Sequence, residues 1–438
     1  MSVDALIESL SAIHPKGFDL SLGRIESLLD RLGNPQDRIP PAIHIAGTNG
    51  KGSTAAFCRA ILEAAGHTVH VHTSPHLVNW TERYRIGAPG GGRLVEDAVL
   101  ERTLARVAQV NDGRPITIFE MLTAAMFLLF SEFPADYCIV EVGLGGRFDA
   151  TNVIRHPLVS IITTIALDHE AWLGDRVELI AFEKAGIIKP GTPVAVSPQS
   201  DAVREVLEEV ALKRGAPMAI CGQDFGFHEQ AGRLVYQDEF GLMDLHLPRL
   251  RGAHQLGNAA TAIAALRHAG LDLPELAYEQ AMDNVRWPGR MEKLRAGPIC
   301  DLAPATAEIW IDGGHNPSAG EVVAAELAGL EERSPMPLFI VAGMLNTKQP
   351  TGFFKAFAGL AERVFTVPVS GSEHGFDPMQ LADIARDCGL EAHACLSVSE
   401  ALRSIRGLLS GDEPVRILIC GSLYLVGEVL RDNLTPPS

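Results

Sequence analysis

Apolar residues along the chain fall into two alternating kinds of run. Short β-type runs at Ala42–Ala46, Val69–His72, 138–142 and 160–164 are each punctuated by Gly, Pro or Asn, the pattern of buried strands. Between them, 54–65 and 118–130 carry helical patterns. That rhythm predicts a parallel sheet with helices on both faces.

Residues 225–247 break the rhythm. Three short runs, beginning at Phe225, Arg233 and Gly241, follow one another with no helical pattern between them and read as antiparallel edge strands. A helical pattern over 255–268 closes this part of the chain. After Trp287-Pro-Gly-Arg290 and a stretch rich in Pro, Gly and Ala, a second strand–helix series begins at Glu308–Asp312 and continues through 338–341, 364–367 and 417–420. The expected fold is therefore α/β. A P-loop-type, mostly parallel sheet domain with a small antiparallel edge sheet occupies 1–293, and a smaller Rossmann-like domain occupies 294–438.

Composition narrows the class. A chain of 438 residues with 47% hydrophobic and 21% charged residues is ordinary globular material, enough for two or three cores. A net charge of −17 argues against a general nucleic-acid binder, whose affinity rests on cations meeting phosphates, but leaves room for a local nucleotide site. Seven dispersed Cys form no C-x-x-C pair and suit reduced thiols better than a disulfide framework. The stretch 121–130 is too short to span a bilayer, and the first residues do not form a secretory signal. A cytoplasmic protein that does not engage membranes is expected.

The strongest local signal is Ile43-His-Ile-Ala-Gly47-Thr-Asn-Gly50-Lys51-Gly52-Ser53-Thr54. A strand runs into a Gly-rich turn whose backbone N–H groups can converge on phosphate oxygens. The helix that follows adds positive field at its N-terminus, and Lys51 can bridge the terminal phosphates. Gly52 separates Lys51 from Ser53, a departure from the common G-x-x-x-x-G-K-[ST] spacing. Ser74, Glu141 and His169 each lie at or just beyond the C-terminal end of a strand, where open α/β sheets place ligands. A hydroxyl, a carboxylate and an imidazole suit a mixed Mg²⁺ shell, although each alone would more often be a cap or a satisfied polar group. Gly143-Leu-Gly-Gly146 lacks the third glycine of a dinucleotide fingerprint.

The G-T-N-G-K-G-S-T string is similar to the phosphate loop of the Mur ligase superfamily, whose folate branch comprises folylpolyglutamate synthases and dihydrofolate synthases. The resemblance extends motif by motif over nearly the whole chain. It implies ATP as co-substrate at Gly50, Lys51, Gly52, Ser53, Asn258, Arg290 and Asp312, and magnesium on Ser74, Glu141 and His169. Phe182-Glu-Lys184-Ala-Gly-Ile resembles the segment whose lysine is carbamylated in these ligases, which implies a modified Lys184 and a second magnesium ion; without that likeness Lys184 is a bland helix lysine. Asp312-Gly-Gly-His315-Asn-Pro is similar to the family's D-x-x-H-N-P motif and places His315 beside glutamate or nucleotide, with helix capping as the alternative.

The resemblance also implies a pterin site. Asp19-Leu20-Ser21-Leu22 is similar to a D-L-G-L stretch, with Ser21 in place of glycine. Thr117-Ile118-Phe119-Glu120 matches a second pterin segment, although Thr and Glu at that spacing also make a capping box. Phe148, Asp149 and Ala150 form a third. Ser422, just after the apolar run 417–420, is a weaker substrate-binding candidate on the same face as His315, where a turn hydroxyl explains it equally well. The implied activity joins L-glutamate to dihydropteroate and to reduced folates through an acyl phosphate, with Lys51, Glu141, His169, Lys184 and His315 in catalytic roles, in a monomer. A cell-wall ligase would be expected to carry a further N-terminal domain. A P-loop switch would leave 312–317 unexplained.

Overall fold

The computed structural model describes residues 3–11, 21–370, 374–409 and 413–437. Eight strands, β1 (Ala42–Ala46), β2 (Val69–His72), β3 (Tyr84–Ile86), β4 (Arg93–Leu94), β5 (Tyr137–Glu141), β6 (Val159–Ile162), β7 (Val194–Val196) and β8 (Met218–Ile220), form one sheet in the order β4-β3-β2-β5-β1-β6-β7-β8. From β2 to β8 all pairings are parallel; β3 and β4 add an antiparallel edge. Strand β1 is buried along its whole length, as a central parallel strand covered on both faces must be.

Alternation along β1 and β5 separates the two faces. Ile43, Ile45 and Ile139 join the core that receives Phe57, Ile61 and Leu62 of helix Lys51–Ala64. Ala42, Cys138 and Val140 join the opposite core, filled by Met121, Phe127 and Phe130 of helix Ile118–Glu132. The segment that broke the rhythm becomes a separate antiparallel sheet of β9 (Gly226–Gln230), β10 (Arg233–Asp238) and β11 (Gly241–His246). Its inward residues Leu234, Tyr236, Met243 and Leu245 pack into the first core.

The second sheet runs β12 (Glu292–Leu294), β13 (Glu308–Asp312), β17 (Arg416–Cys420), β14 (Leu338–Ala342), β15 (Arg363–Thr366) and β16 (Ala392–Ala394). Only β12 is antiparallel to its neighbour. The division expected after residue 293 falls inside β12, because the chain joins the second sheet as soon as it leaves the Trp287–Arg290 turn. There the Met291 N–H is held by Asp312 Oδ2 at 2.9 Å. The two units approach closely at Gly427 of helix Leu423–Asp432, where a Cβ would lie 1.9 Å from the Leu77 carbonyl oxygen. Any side chain there would push the second domain off the loop that follows β2.

Candidate active site

The C-terminal ends of β1, β2, β5 and β6 open onto one cavity of about 350 Å³, closed from the other side by residues that follow β13. Gly50, Lys51, Gly52, Ser53, Ser74, Glu141, His169, Lys184, Asn258, Arg290, Asp312 and His315 all line it. The fold thus brings together, from two domains, every nucleotide, metal and catalytic residue expected from the sequence.

The phosphate loop depends on close approach. Gly50 has φ +90°, and a Cβ on it would lie 2.4 Å from Asn258 Oδ1. Asn258 is itself fixed, donating to Gln255 Oε1 at 3.0 Å. Lys51 opens the helix and folds its ammonium back onto Gly47 O at 3.0 Å and Thr48 O at 3.3 Å. Lys184 reaches the same Gly47 carbonyl at 2.8 Å. Burial pushes both ammonium groups down, and Lys51 adds repulsion at Lys184, which falls to about 7. Lys184 is therefore a buried amine, not the surface lysine that helix position alone would suggest.

Glu141 ends β5 at 5% exposure. One oxygen accepts the Ser74 N–H at 3.2 Å. Burial pushes this carboxyl up, with Lys51 the foremost group acting the other way. His169 caps a short helix in the left-handed region at φ 54°. Burial lowers its imidazole to about 4, despite Asp168 alongside, so at neutral pH it presents a ring-nitrogen lone pair.

Asp168 is the hub that sequence reasoning missed. Its carboxylate accepts from Lys348 Nζ at 2.7 Å and Asn316 Nδ2 at 3.3 Å and stands 3.6 Å from His315 Nε2. Burial opposes its charge, yet hydrogen bonding and charge from His315, with Lys348 and His169, hold the carboxyl well below the usual range. Asn316 also exchanges amide hydrogen bonds with Asn49 at 3.0 and 3.3 Å while capping helix Pro317–Arg333. Lys348 sits in a loop after β14 with no motif around it. Asp168 had only its place beside His169 as a signal.

The expected pterin residues that the structure describes, and Ser422, do not line this cavity. Asp19 and Leu20 lie outside the described residues. Leu22 precedes helix Gly23–Arg31 and packs on the core of helix Ile118–Glu132, as do Ile118 and Phe119. Thr117 and Glu120 form a capping box, and Glu120 also pairs with Arg24 at 3.1 Å. Phe119 abuts Gly143, where a Cβ would lie 2.4 Å from its ring. Asp149 is turned inward, accepting from Gly143 N, Leu144 N and Thr151 and so shaping the cavity rim. Ala150 is buried, Phe148 stacks on Arg147 at 4.8 Å, and Ser422 caps helix Leu423–Asp432 through Tyr424 N at 3.1 Å. Where the caps exist, they are satisfied by backbone groups, so these side chains fix the wall.

The chain is similar to known proteins over nearly its whole length. The Mur ligase middle domain matches residues 45–266, and the dihydrofolate synthetase C-terminal domain matches 299–432. The dihydrofolate synthase/folylpolyglutamate synthase of Escherichia coli is 30% identical over 96% of this chain and 93% of its own length. The folylpolyglutamate synthase of Lacticaseibacillus casei is 33% identical over 94% of each chain. The structure of E. coli FolC in complex with DHPP and ADP superposes with a TM-score of 0.87, covering 98% of this chain and 97% of that one at 30% identity. The Yersinia pestis bifunctional enzyme complexed with AMPPNP and Mn ion superposes with a TM-score of 0.86, at 30% identity and 98% coverage of both chains. This chain belongs to the Mur ligase family, in the branch of the dihydrofolate and folylpolyglutamate synthases, whose members are ATP-dependent ligases.

Proposed function

We propose that this chain uses ATP and Mg²⁺ to join L-glutamate to dihydropteroate and to the γ-carboxyl of reduced folates. The observation that carries the reading is the convergence of the phosphate loop, Ser74, Glu141 and His169 with Asp312 and His315 across one interdomain cavity. Its relatives support the substrates: one solved structure holds DHPP and ADP, another Mn, AMPPNP and L-glutamate.

The donor set fits a hard divalent cation. Glu141 is a buried carboxylate with a single backbone partner, the His169 ring is neutral, and the Ser74 N–H already faces Glu141. Among the described residues no group of three or more His, Cys, Asp or Glu is placed to hold a metal ion. That suits a shell of two such ligands completed by a hydroxyl, water and phosphate oxygens. A bound Mg²⁺ would neutralise charge on the phosphates.

The acceptor carboxylate attacks the γ-phosphorus of ATP, forming an acyl phosphate and releasing ADP. The glutamate amine then attacks the acyl carbon, and phosphate leaves with the former carboxylate oxygen. Lys51, Arg290 and the loop N–H groups hold the phosphates in line, so the chain's contribution is position and charge. Lys184 supplies the neutral amine that carbamate formation requires: amine and CO₂ give the carbamate anion and a proton. An anion there would relieve the repulsion with Lys51 and help hold a second Mg²⁺. The Asp168 cluster draws the domains together over the acyl phosphate and excludes the water that would hydrolyse it. No helix among the described residues is long and apolar enough to cross a membrane.

The test is a product assay with dihydropteroate and tetrahydrofolate supplied separately. ADP release is expected to require both an acceptor and glutamate. Nucleotide hydrolysis indifferent to both would sink the ligase reading.

A further inference from the structure

A second, larger cleft of about 1220 Å³ runs along helix Lys51–Ala64 from Gly52 to Ala64 and meets the first cavity at Ser74, Glu141 and Arg290. Its charge runs against that of the molecule. The chain carries 54 acidic and 37 basic residues, yet eight Lys or Arg and four Glu line this cleft. The four carboxylates are engaged locally. Glu63 lies between Arg59 at 4.0 Å and Arg85 at 3.7 Å. Glu82 accepts the N–H groups of Leu77, Val78 and Asn79, Glu292 accepts that of Gly289, and Glu141 accepts that of Ser74. Lys293 pairs with Glu308 at 2.6 Å, but three of the other cations are uncommitted. Arg249, Arg286 and Arg295 are exposed in the cleft and, among the described residues, their guanidinium groups make no hydrogen bond or ion pair.

Eight cations against four carboxylates leave a net positive concave wall, which focuses a positive field, and its inner end joins the cavity where the proposed reaction would bring an acceptor carboxylate to ATP. A γ-linked oligoglutamate presents one free α-carboxylate per residue and ends in the carboxyl to be activated. Guanidinium groups match that repeated carboxylate in shape and charge. We propose that this cleft holds the oligoglutamate chain of already extended folate acceptors, running it past Arg249, Arg286 and Arg295 toward the phosphate loop. The inference rests on the glutamate-ligase reading above and adds to it a separate subsite for long acceptors.

The experiment compares tetrahydrofolate carrying one glutamate with tetrahydrofolate carrying five, in the wild type and in the double variant Arg249→Glu, Arg295→Glu. For the long acceptor KM is expected to rise at least about tenfold, as reversal of several charge contacts should produce. For the short acceptor and for ATP, KM should change less than about twofold. Added salt should raise KM for the long acceptor in the wild type and have a weaker effect in the variant. Free γ-linked pentaglutamate should compete with the long acceptor and not with ATP. Arg249→Gln, Arg295→Gln serves as a milder pair should charge reversal disturb folding. Equal KM changes for both acceptors, or none, would overturn the subsite while leaving the ligase reading standing. Inhibition by pentaglutamate that competes with neither acceptor would mark a regulatory polyanion site and overturn it too. A wild type that extends no folate at all would remove the ligase reading and the inference with it.

Discussion

The Lys348 ammonium stands 2.7 Å from Oδ1 of Asp168, a pair 180 residues apart in sequence and less than one tenth exposed on either side. One partner follows a strand of the second sheet, the other follows β6 of the first. The same ammonium lies 3.4 Å from His169 Nε2. One contact therefore links the second domain to a metal-ligand candidate.

Lys348→Met should preserve the fold, since Asp168 keeps Asn316 and His315 as partners. A buried group losing one partner costs about 1–3 kcal/mol, and a misplaced reacting geometry about 100-fold in rate. The expected variant has a lower melting temperature, ligation reduced by about 10- to 100-fold, and a more open solution-scattering profile with ATP analogue and glutamate bound. Wild-type kinetics with an unchanged profile would show that the pair does not control closure.

Lys51→Ala should abolish ligation while leaving circular dichroism unchanged, because among the described residues its ammonium hydrogen-bonds just two loop carbonyls. Glu141→Gln and His169→Ala should raise the magnesium requirement and depress ligation by about 10- to 1000-fold. Magnesium titrations identical to wild type in both would identify these side chains as structural polar groups.

The parts of the site that were legible before folding are those where local chain geometry and chemistry coincide. The loop after β1 needs glycines for its own turn and for phosphate, so 47–54 announced both. Glu141 and Ser74 could be placed because strand ends can be read from apolar runs. Lys348 could not, since its role exists only when two domains meet and a lone lysine in a loop has no period or spacing. Lys184 shows the same limit from another side: helix position suggested a surface residue, while packing against the phosphate loop buries it to 5% exposure. Strands of two or three residues such as β4, β8 and β16 were also silent, because their pairing comes from sheet neighbours and not from any pattern of their own.

Lys184 gives a pH prediction with a defined sign. Its folded pKa is lowered from 10.5 to about 7, burial first and Lys51 second. Between those values the unfolded chain binds the proton and the folded chain does not, so this group adds stability as pH rises from 7 towards 10.5, with a slope of at most about 1.4 kcal/mol per pH unit. Urea unfolding at pH 7 and pH 9 should show a larger gain for wild type than for Lys184→Met. Removal of CO₂ should lower wild-type ligation, and bicarbonate should restore it. A variant with the same pH gain as wild type would place the amine in solvent.

The pair Arg24–Glu120 gives the sharpest test of dual substrate use. Arg24 Nε reaches both carboxylate oxygens of Glu120 at 3.1 Å, while Glu120 also accepts the Thr117 N–H at 2.8 Å. The contact fastens helix Gly23–Arg31, which begins just after Leu22, to Glu120 of the second expected pterin segment at the N-terminus of helix Ile118–Glu132. Phe119, between them and Gly143, continues that wall to the cavity rim. Arg24→Leu should leave the phosphate loop untouched and loosen only the pterin end. Dihydropteroate, with no glutamate to anchor it elsewhere, should lose more than an extended folate. The expected result is KM for dihydropteroate raised about 5- to 100-fold, the equivalent of one lost charge-assisted contact, with KM for ATP unchanged and pentaglutamyl tetrahydrofolate affected less. Substitution of Asp19 should follow the same order. Equal losses on both acceptors would mean that one pterin pose serves both reactions. Wild-type enzyme that extends tetrahydrofolate but forms no dihydrofolate from dihydropteroate would restrict this chain to polyglutamylation.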